Sequence, residues 1–297
     1  MRIATWNVNS LKARLEKVLW WIERTAPDVL LLQETKLNDA DAPHAVFDKL
    51  GYQLAHHGQG GRNGVAIASR VGLTDIAVGL TPLEAAPSST TSPSGDAAPL
   101  AEARMIAATC AGARVVSIYA PNGRTVASPF YAAKLAWFEE LQRWLAATQK
   151  PEGLLVIGGD FNVAPDDRDV WDPKACHGGT HVSPAERAAF QRLCDWGLVD
   201  AYREAHAEAE RYSWWDYRAG DFYKNFGMRI DHLLVTRPLA ARAVGTEIDR
   251  EARKGKPIPS DHAPVTLDLD VPGKPFDAGW AAAAERIASR RAKKKAT

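Results

Sequence analysis

Leu154-Leu155-Val156-Ile157-Gly158-Gly159-Asp160-Phe161-Asn162 is the stretch from which the fold can be read. Its unbroken apolar start has the character of a strand covered on both faces, so helices or a second sheet must pack against it. Two glycines then allow another backbone to come close. The run ends in an acid and an amide two positions apart, which an extended backbone projects from one face. Further strand-like runs lie at 2–7, 28–33, 64–69, 104–110, 113–120, 229–236 and 263–270. Leu11, Leu15, Val18, Leu19 and Ile22 recur at helical spacing before Pro27, and Trp137, Phe138, Leu141, Trp144 and Leu145 do so further on; each set gives a helix with one buried stripe. Ser183-Pro184-Ala185-Glu186 starts a third helix: serine caps, proline suits the first helical position, and glutamate bonds back to the cap. Phe190, Leu193 and Cys194 then face the core. Strands and helices mixed without strict alternation predict a layered α/β (α+β) sandwich.

At 297 residues the chain can bury a sizeable core, and its 37 Lys and Arg against 36 Asp and Glu leave a net charge of +1. That balance neither demands nor excludes a polyanionic partner, and any positive field has to be local. No secretory leader is recognisable ahead of Ile3, and no stretch approaches the roughly 20 apolar residues of a membrane span. Cys110, Cys176 and Cys194 are an odd and scattered set, so a reducing, cytoplasmic compartment is expected. Residues 84–101, rich in Pro, Ser and Thr, read as a mobile surface loop between strands. After Val271 an Ala-rich segment ends in Arg290-Arg291-Ala292-Lys293-Lys294-Lys295, which reads as a solvated basic tail or, alternatively, a nonspecific attractor of phosphate.

Polar groups punctuate the strand ends. Asn7 follows Ile3-Ala4-Thr5-Trp6, Glu34 follows Val29-Leu30-Leu31-Leu32-Gln33, and Tyr119 ends Val115-Val116-Ser117-Ile118 ahead of a turn carrying Asn122. Asp231 stands in Arg229-Ile230-Asp231-His232, and Asp261-His262 precede Val265-Thr266-Leu267-Asp268-Leu269. Singly, each fits a cap, an Asx turn or an end-of-strand carboxylate. Their recurrence favours one shared centre. Asn7, Glu34, Asp160, Asn162 and Asp261 offer the oxygen ligands that a hard cation such as Mg²⁺ takes. Cys176, His177, His181 and Cys194 lack the paired spacing of a zinc site. Asp231 is suited to hold His262 in one tautomer while the imidazole meets a phosphate. Trp214, Trp215, Phe222, Phe226 and Met228 are interleaved with Arg218, Lys224 and Arg229, a mixture suited to a DNA groove or an extrahelical sugar, with Trp215 expected to cover the sheet edge.

In their shared order, Thr5-Trp6-Asn7-Val8-Asn9-Ser10, Leu32-Gln33-Glu34-Thr35-Lys36, Asn63-Gly64-Val65-Ala66-Ile67, Tyr119-Ala120-Pro121-Asn122-Gly123, Gly159-Asp160-Phe161-Asn162, Trp214-Trp215-Asp216-Tyr217-Arg218, Gly227-Met228-Arg229-Ile230-Asp231 and Ser260-Asp261-His262 resemble the exonuclease III and apurinic/apyrimidinic endonuclease family across roughly residues 1–270. The resemblance implies a four-layer sandwich, two mixed β-sheets face to face with helices outside, as one catalytic domain over 1–271 followed by a basic extension over 272–297. It also implies roles. Glu34 is the principal metal ligand with Asn7 and Asp261 beside it or at a second metal position, and Asp160, Asn162 and His262 border the same Mg²⁺ site, where Mn²⁺ can substitute. Asp160 orients or deprotonates the attacking water, Asn162 helps hold the phosphate, and His262, paired with Asp231, contacts it, as do Tyr119 and Asn122. Trp214, Met228 and Ile230 wall the pocket around an abasic sugar, and Arg218 and Asn225 complete the substrate-binding set. The implied activity is Mg²⁺-dependent DNA repair: cutting 5′ to abasic sites and clearing nucleotides or blocking groups from 3′ ends of double-stranded DNA, by a monomer. Two rivals remain at this point: a phosphodiesterase of the same fold acting on RNA or a phosphorylated inositol, and a non-catalytic DNA-binding module.

Overall fold

Burial on both faces of the apolar strands is met by stacking two sheets. The computed structural model describes residues 1–80 and 99–295, so most of the loop read at 84–101 lies outside the described residues. The strands are β1 (Arg2–Asn7), β2 (Val29–Gln33), β3 (Gln53–His57), β4 (Val65–Ser69), β5 (Thr74–Val78), β6 (Met105–Cys110), β7 (Ala113–Tyr119), β8 (Leu155–Asp160), β9 (Leu198–Asp200), β10 (Trp214–Trp215), β11 (Gly227–Met228), β12 (Asp231–Thr236), β13 (Ala243–Ile248) and β14 (Val265–Leu269). One sheet runs β13-β14-β1-β2-β4-β3, the other β5-β6-β7-β8-β12-β9, and β10 and β11 form a separate ribbon. Ile3, Leu31, Ile67 and Leu267 of the first sheet meet Ile106, Val115, Val156 and Leu233 of the second in the central core.

The outer faces are closed by the helices that the periodicity predicts. Helix Leu11–Thr25 buries Val18, Trp21 and Ile22 against Ala4, Trp6, Leu30 and Leu32 of the first sheet. Helices Pro129–Thr148 and Pro184–Asp195 cover Val116, Ile118 and Ile157 of the second with Trp137, Leu141, Phe190 and Leu193. The layer order is therefore helix, sheet, sheet, helix. The Ser183 capping box forms in both directions, with Pro184 at the first helical position. Every strand-like run has its strand. Of the missed strands, β10 and β11 form the short ribbon, and β3, β5, β9 and β13 are the four sheet edges, where one side is wet and the apolar pattern fades; β5 is exposed along its whole length.

Strand direction assembles a rim. β1 and β2 are parallel, as are β7 and β8, while β12 and β14 run antiparallel to β8 and β1. The C-terminal ends of the first four and the starts of the last two therefore share one edge of the sandwich. Register puts Tyr119 and Asp231 on either side of Asp160, and Asn7 beside Gln33. The paired glycines make this possible. A Cβ on Gly159 would lie 1.9 Å from the Ile118 carbonyl oxygen, and one on Gly158 would strike Leu31 and Leu233 at 2.6 Å.

The segment after Val271 docks rather than trails. Its helix, Trp280–Lys295, buries Trp280 and Ala283, and the Trp280 indole donates to the Ile248 carbonyl at 2.7 Å.

Candidate active site

Asn7 is fully buried at the end of β1, and its Nδ2 donates to both Glu34 Oε1 at 3.1 Å and Asp160 Oδ2 at 2.9 Å. One amide thus links a carboxylate from each sheet. Glu34 sits just past β2 at φ 51°, a left-handed conformation unfavourable for a non-glycine residue, and Asn162 just past β8 shares it. Asp160 Oδ1 accepts from the Asn162 backbone N–H at 2.9 Å. The strand ends at Asp160, so Asp160 and Asn162 share the site through an Asx-type turn and not through the extended i, i+2 pleat that the sequence suggests. The Asn162 side chain donates to the Ala120 carbonyl at 3.0 Å and accepts from Asn122 Nδ2 at 3.3 Å.

On the other flank, His262 Nδ1 lies 2.9 and 3.1 Å from the two Asp231 oxygens, while its Nε2 points toward Asp160 Oδ2 at 3.8 Å. The Trp6 indole holds the His262 carbonyl at 3.0 Å, and Ser260 Oγ donates to the Asn7 carbonyl at 2.8 Å, fastening this loop to the end of β1. Asp261 accepts from Asn9 Nδ2 at 3.0 Å and from the Trp214 indole at 3.2 Å.

Burial sets the protonation. It pushes the Asp160 carboxyl up to about 7, with Asp231 and Glu34 adding to the effect and His262 opposing it. Burial works against charge on His262 as well, but Asp231 and Asp160 outweigh it and raise the imidazole to about 10. Burial likewise opposes charge on Glu34, yet Lys36 at 3.0 Å, the Asn7 amide and the Tyr119 hydroxyl hold its carboxyl below the ordinary range. Tyr119 is raised well above its usual value by burial and by Glu34, so it stays a neutral donor.

These donors fit a metal ion. Asp160, Asp231 and His262 bring ligand atoms within 4.8 Å of one another, and Glu34 shares the Asn7 amide with Asp160. Both Asp231 oxygens are turned to His262, which leaves Glu34 and Asp160 as the carboxylates best placed for an oxygen-seeking cation.

Over residues 4–262 the sequence matches the endonuclease/exonuclease/phosphatase family. The chain belongs to that family. Exodeoxyribonuclease III of Haemophilus influenzae is 34% identical over 281 residues, covering 91% of this chain and all of that protein. Among solved structures, an AP endonuclease from Archaeoglobus fulgidus is 36% identical with a TM-score of 0.83, covering 91% of this chain and 100% of that one. The 3′ phosphatase NExo from Neisseria, bound to a product DNA hairpin, is 39% identical with a TM-score of 0.82 and the same coverage. The chain is thus a phosphoester hydrolase of the exodeoxyribonuclease III and AP endonuclease kind. Helix Trp280–Lys295 lies beyond the residues matched to the family.

The substrate-side residues are more scattered than the motif order suggests. Ile230 is buried in a small cluster with Ala164, Val170 and Val182, against which Trp214 and Met228 pack, so the three pocket residues do come together. Arg218 is exposed and paired with Asp216 at 2.6 Å. Asn225 is buried, accepting from the Trp215 indole at 3.2 Å and donating to the Glu210 carbonyl at 3.1 Å. Trp215 covers the sheet as expected, and Phe222 joins it in the core instead of facing a groove. Arg229 is also interior: its guanidinium binds Asp169 and Asp200, each at 2.7 Å. That pairing explains how a cation read as surface can be fully buried.

The sequence reading missed a brace behind the site. Lys134 is fully buried, ion-paired with Glu186, and donates to the Asn162 carbonyl at 2.6 Å and the Asn122 carbonyl at 3.3 Å. Glu186 also accepts from Thr180 Oγ1 and from the His181 backbone N–H, both at 3.0 Å, and His181 Nδ1 lies 2.6 Å from the Asn162 carbonyl. The available signal was Lys134 itself, three and four residues before Trp137 and Phe138 on the buried stripe.

Proposed function

We propose that the protein is a Mg²⁺-dependent DNA repair nuclease that hydrolyses the phosphodiester 5′ to abasic sites and removes nucleotides or blocking groups from 3′ ends of duplex DNA, working as a monomer in the cytoplasm. The observation that carries this reading is the placement of Asp160 between the Asn7–Glu34 pair and the Asp231–His262 pair. A carboxyl poised at about 7 is suited to take a proton from an attacking water near neutral pH. The imidazolium of His262, kept charged by Asp231, meets the negative charge that grows on a phosphate in the transition state. Tyr119, Asn122 and Asn162 supply neutral donors from adjoining turns. A divalent cation held by Glu34, with Asn7 and Asp261 beside it, would supply Lewis acidity toward the non-bridging oxygens. Trp214 and Met228, packed on the buried Ile230 cluster, offer an apolar surface suited to a base-free sugar. Relatives described as a 3′ phosphatase, an AP endonuclease and an exodeoxyribonuclease III support the substrate class.

A duplex carrying one abasic analogue is expected to be cut with Mg²⁺ and left intact with EDTA. Absence of any EDTA-sensitive scission, at the lesion or from the 3′ end, sinks the reading. Trp214→Ala separates it from action on RNA or inositol phosphates. Loss of an apolar packing surface worth ~1.5–3 kcal/mol should lower kcat/KM on the abasic duplex about ten-fold or more and leave a small diester within about two-fold.

A further inference from the structure

The charge of this chain is divided unevenly. Residues 280–297 hold six of the 37 Lys and Arg and one of the 36 Asp and Glu, so the other residues carry 31 basic against 35 acidic groups, a net charge of −4 on a body read as a DNA enzyme. All of the compensating charge lies in one helix. That helix is anchored: Trp280 lies between Ile248 and Trp215, Ala283 is buried, and Ile287 packs on the same core. Farther along, Arg290 donates to the Tyr223 carbonyl. The helix therefore runs from the central core to the segment of Tyr223, Lys224 and Phe226, where Arg290 lies.

This end adjoins the substrate side. Phe226 stacks on Trp171 with ring centroids 4.1 Å apart, and both rings are exposed. The Trp171 N–H bonds to the Gly227 carbonyl at 3.1 Å, and Val170 bridges to Met228. A path thus leads from Asp160 past Trp214 and Met228, over the Trp171–Phe226 ledge, to Arg290 of the helix. We propose that helix Trp280–Lys295 is an auxiliary arm for duplex DNA, attracting backbone phosphates beyond the aromatic ledge while the scissile linkage lies at Asp160. The proposal rests on the nuclease reading and adds to it a second, electrostatic attachment. Duplex DNA is favoured over an anionic membrane because Trp280, Ala283 and Ile287 are already spent against the body. The outward positions Ala281, Ala282, Ala284 and Ala288 offer no bulky apolar face to insert.

The test uses the full chain with R291Q, K293Q, K294Q and K295Q combined, which leaves Trp280, Ile287 and Arg290 in place. Each phosphate neutralised contributes a slope of about −0.9 to log affinity against log salt. The variant is expected to bind a 25-base-pair duplex on the order of ten-fold more weakly at ~0.1 M salt, with a slope shallower by roughly two to three. Its melting temperature and its turnover at saturating DNA should match wild type. Equal affinity and slope in the two proteins overturns the proposal, as does wild type that sediments with phosphatidylglycerol vesicles through these lysines while its duplex binding ignores them. If both proteins cut DNA with identical salt dependence, the arm fails and the nuclease reading stands; if wild type neither binds nor cuts duplex, both fall.

Discussion

Asp231 is turned to His262. Both its oxygens face Nδ1, which fixes the tautomer and sustains the charge that Nε2 presents toward Asp160. Asp231→Asn keeps one acceptor for the ring N–H but removes the charge. The expected outcome is a fall in kcat on a duplex 3′ end of roughly 10²-fold or more, with KM and folding little changed, measured by single-turnover cleavage and thermal melting. This pair was legible because each partner abuts its own strand in the sequence. Arg229 and Lys134 were not legible in the same way. A long cationic side chain is apolar along its stem, and only a partner from a distant segment, Asp169 and Asp200 for one and Glu186 for the other, settles whether its head turns inward.

At the scale of elements, helices Pro129–Thr148 and Pro184–Asp195 do more than cover a sheet. Lys134 from one and Glu186 from the other brace the turns that carry Asn122, Asn162 and His181. Burial raises the Glu186 carboxyl, but Lys134 outweighs it and the net shift is downward, so the glutamate is a charged partner and not a spectator. Lys134→Met strands that charge and should cost about 3–5 kcal/mol in urea unfolding, whereas Lys134→Met combined with Glu186→Gln, which removes the charge but keeps an acceptor for Thr180 and His181, should recover part of the loss. Core strands were readable as elements because burial on both faces writes an apolar run. The edges β3, β5, β9 and β13 were not, since half of an edge strand's environment is water and its residues need not advertise a strand. The ribbon of Trp214–Trp215 with Gly227–Met228 is two residues a side and has no period to detect.

For the whole molecule, the network of Arg229 with Asp169, Asp200 and His232 ties the loop after Asp160 to the far edge of the second sheet. Burial pushes the Asp200 carboxyl up, but Arg229 and His232 outweigh it and hold it well below the ordinary range. A depressed folded value means that its contribution is complete above the unfolded value of about 4 and is lost as pH falls toward the folded one. Wild type should therefore exceed Asp200→Asn in stability by a constant margin from pH 5 to 7, and the margin should shrink on acidification to pH 2.5 in parallel urea titrations. A margin that holds at pH 2.5 would assign the effect to packing. Taken alone, the sequence determined which segments are core strands, that several of them end in acid, amide or phenol groups, and which family those endings belong to. Only the tertiary structure decided that they form one site. Local pattern records how deeply a residue is buried, while convergence depends on strand direction and register. Parallel β1–β2 and β7–β8, crossed by antiparallel β12 and β14, bring Asn7, Glu34, Asp160, Asp231 and His262 to a single rim, and no segment carries that pairing within itself.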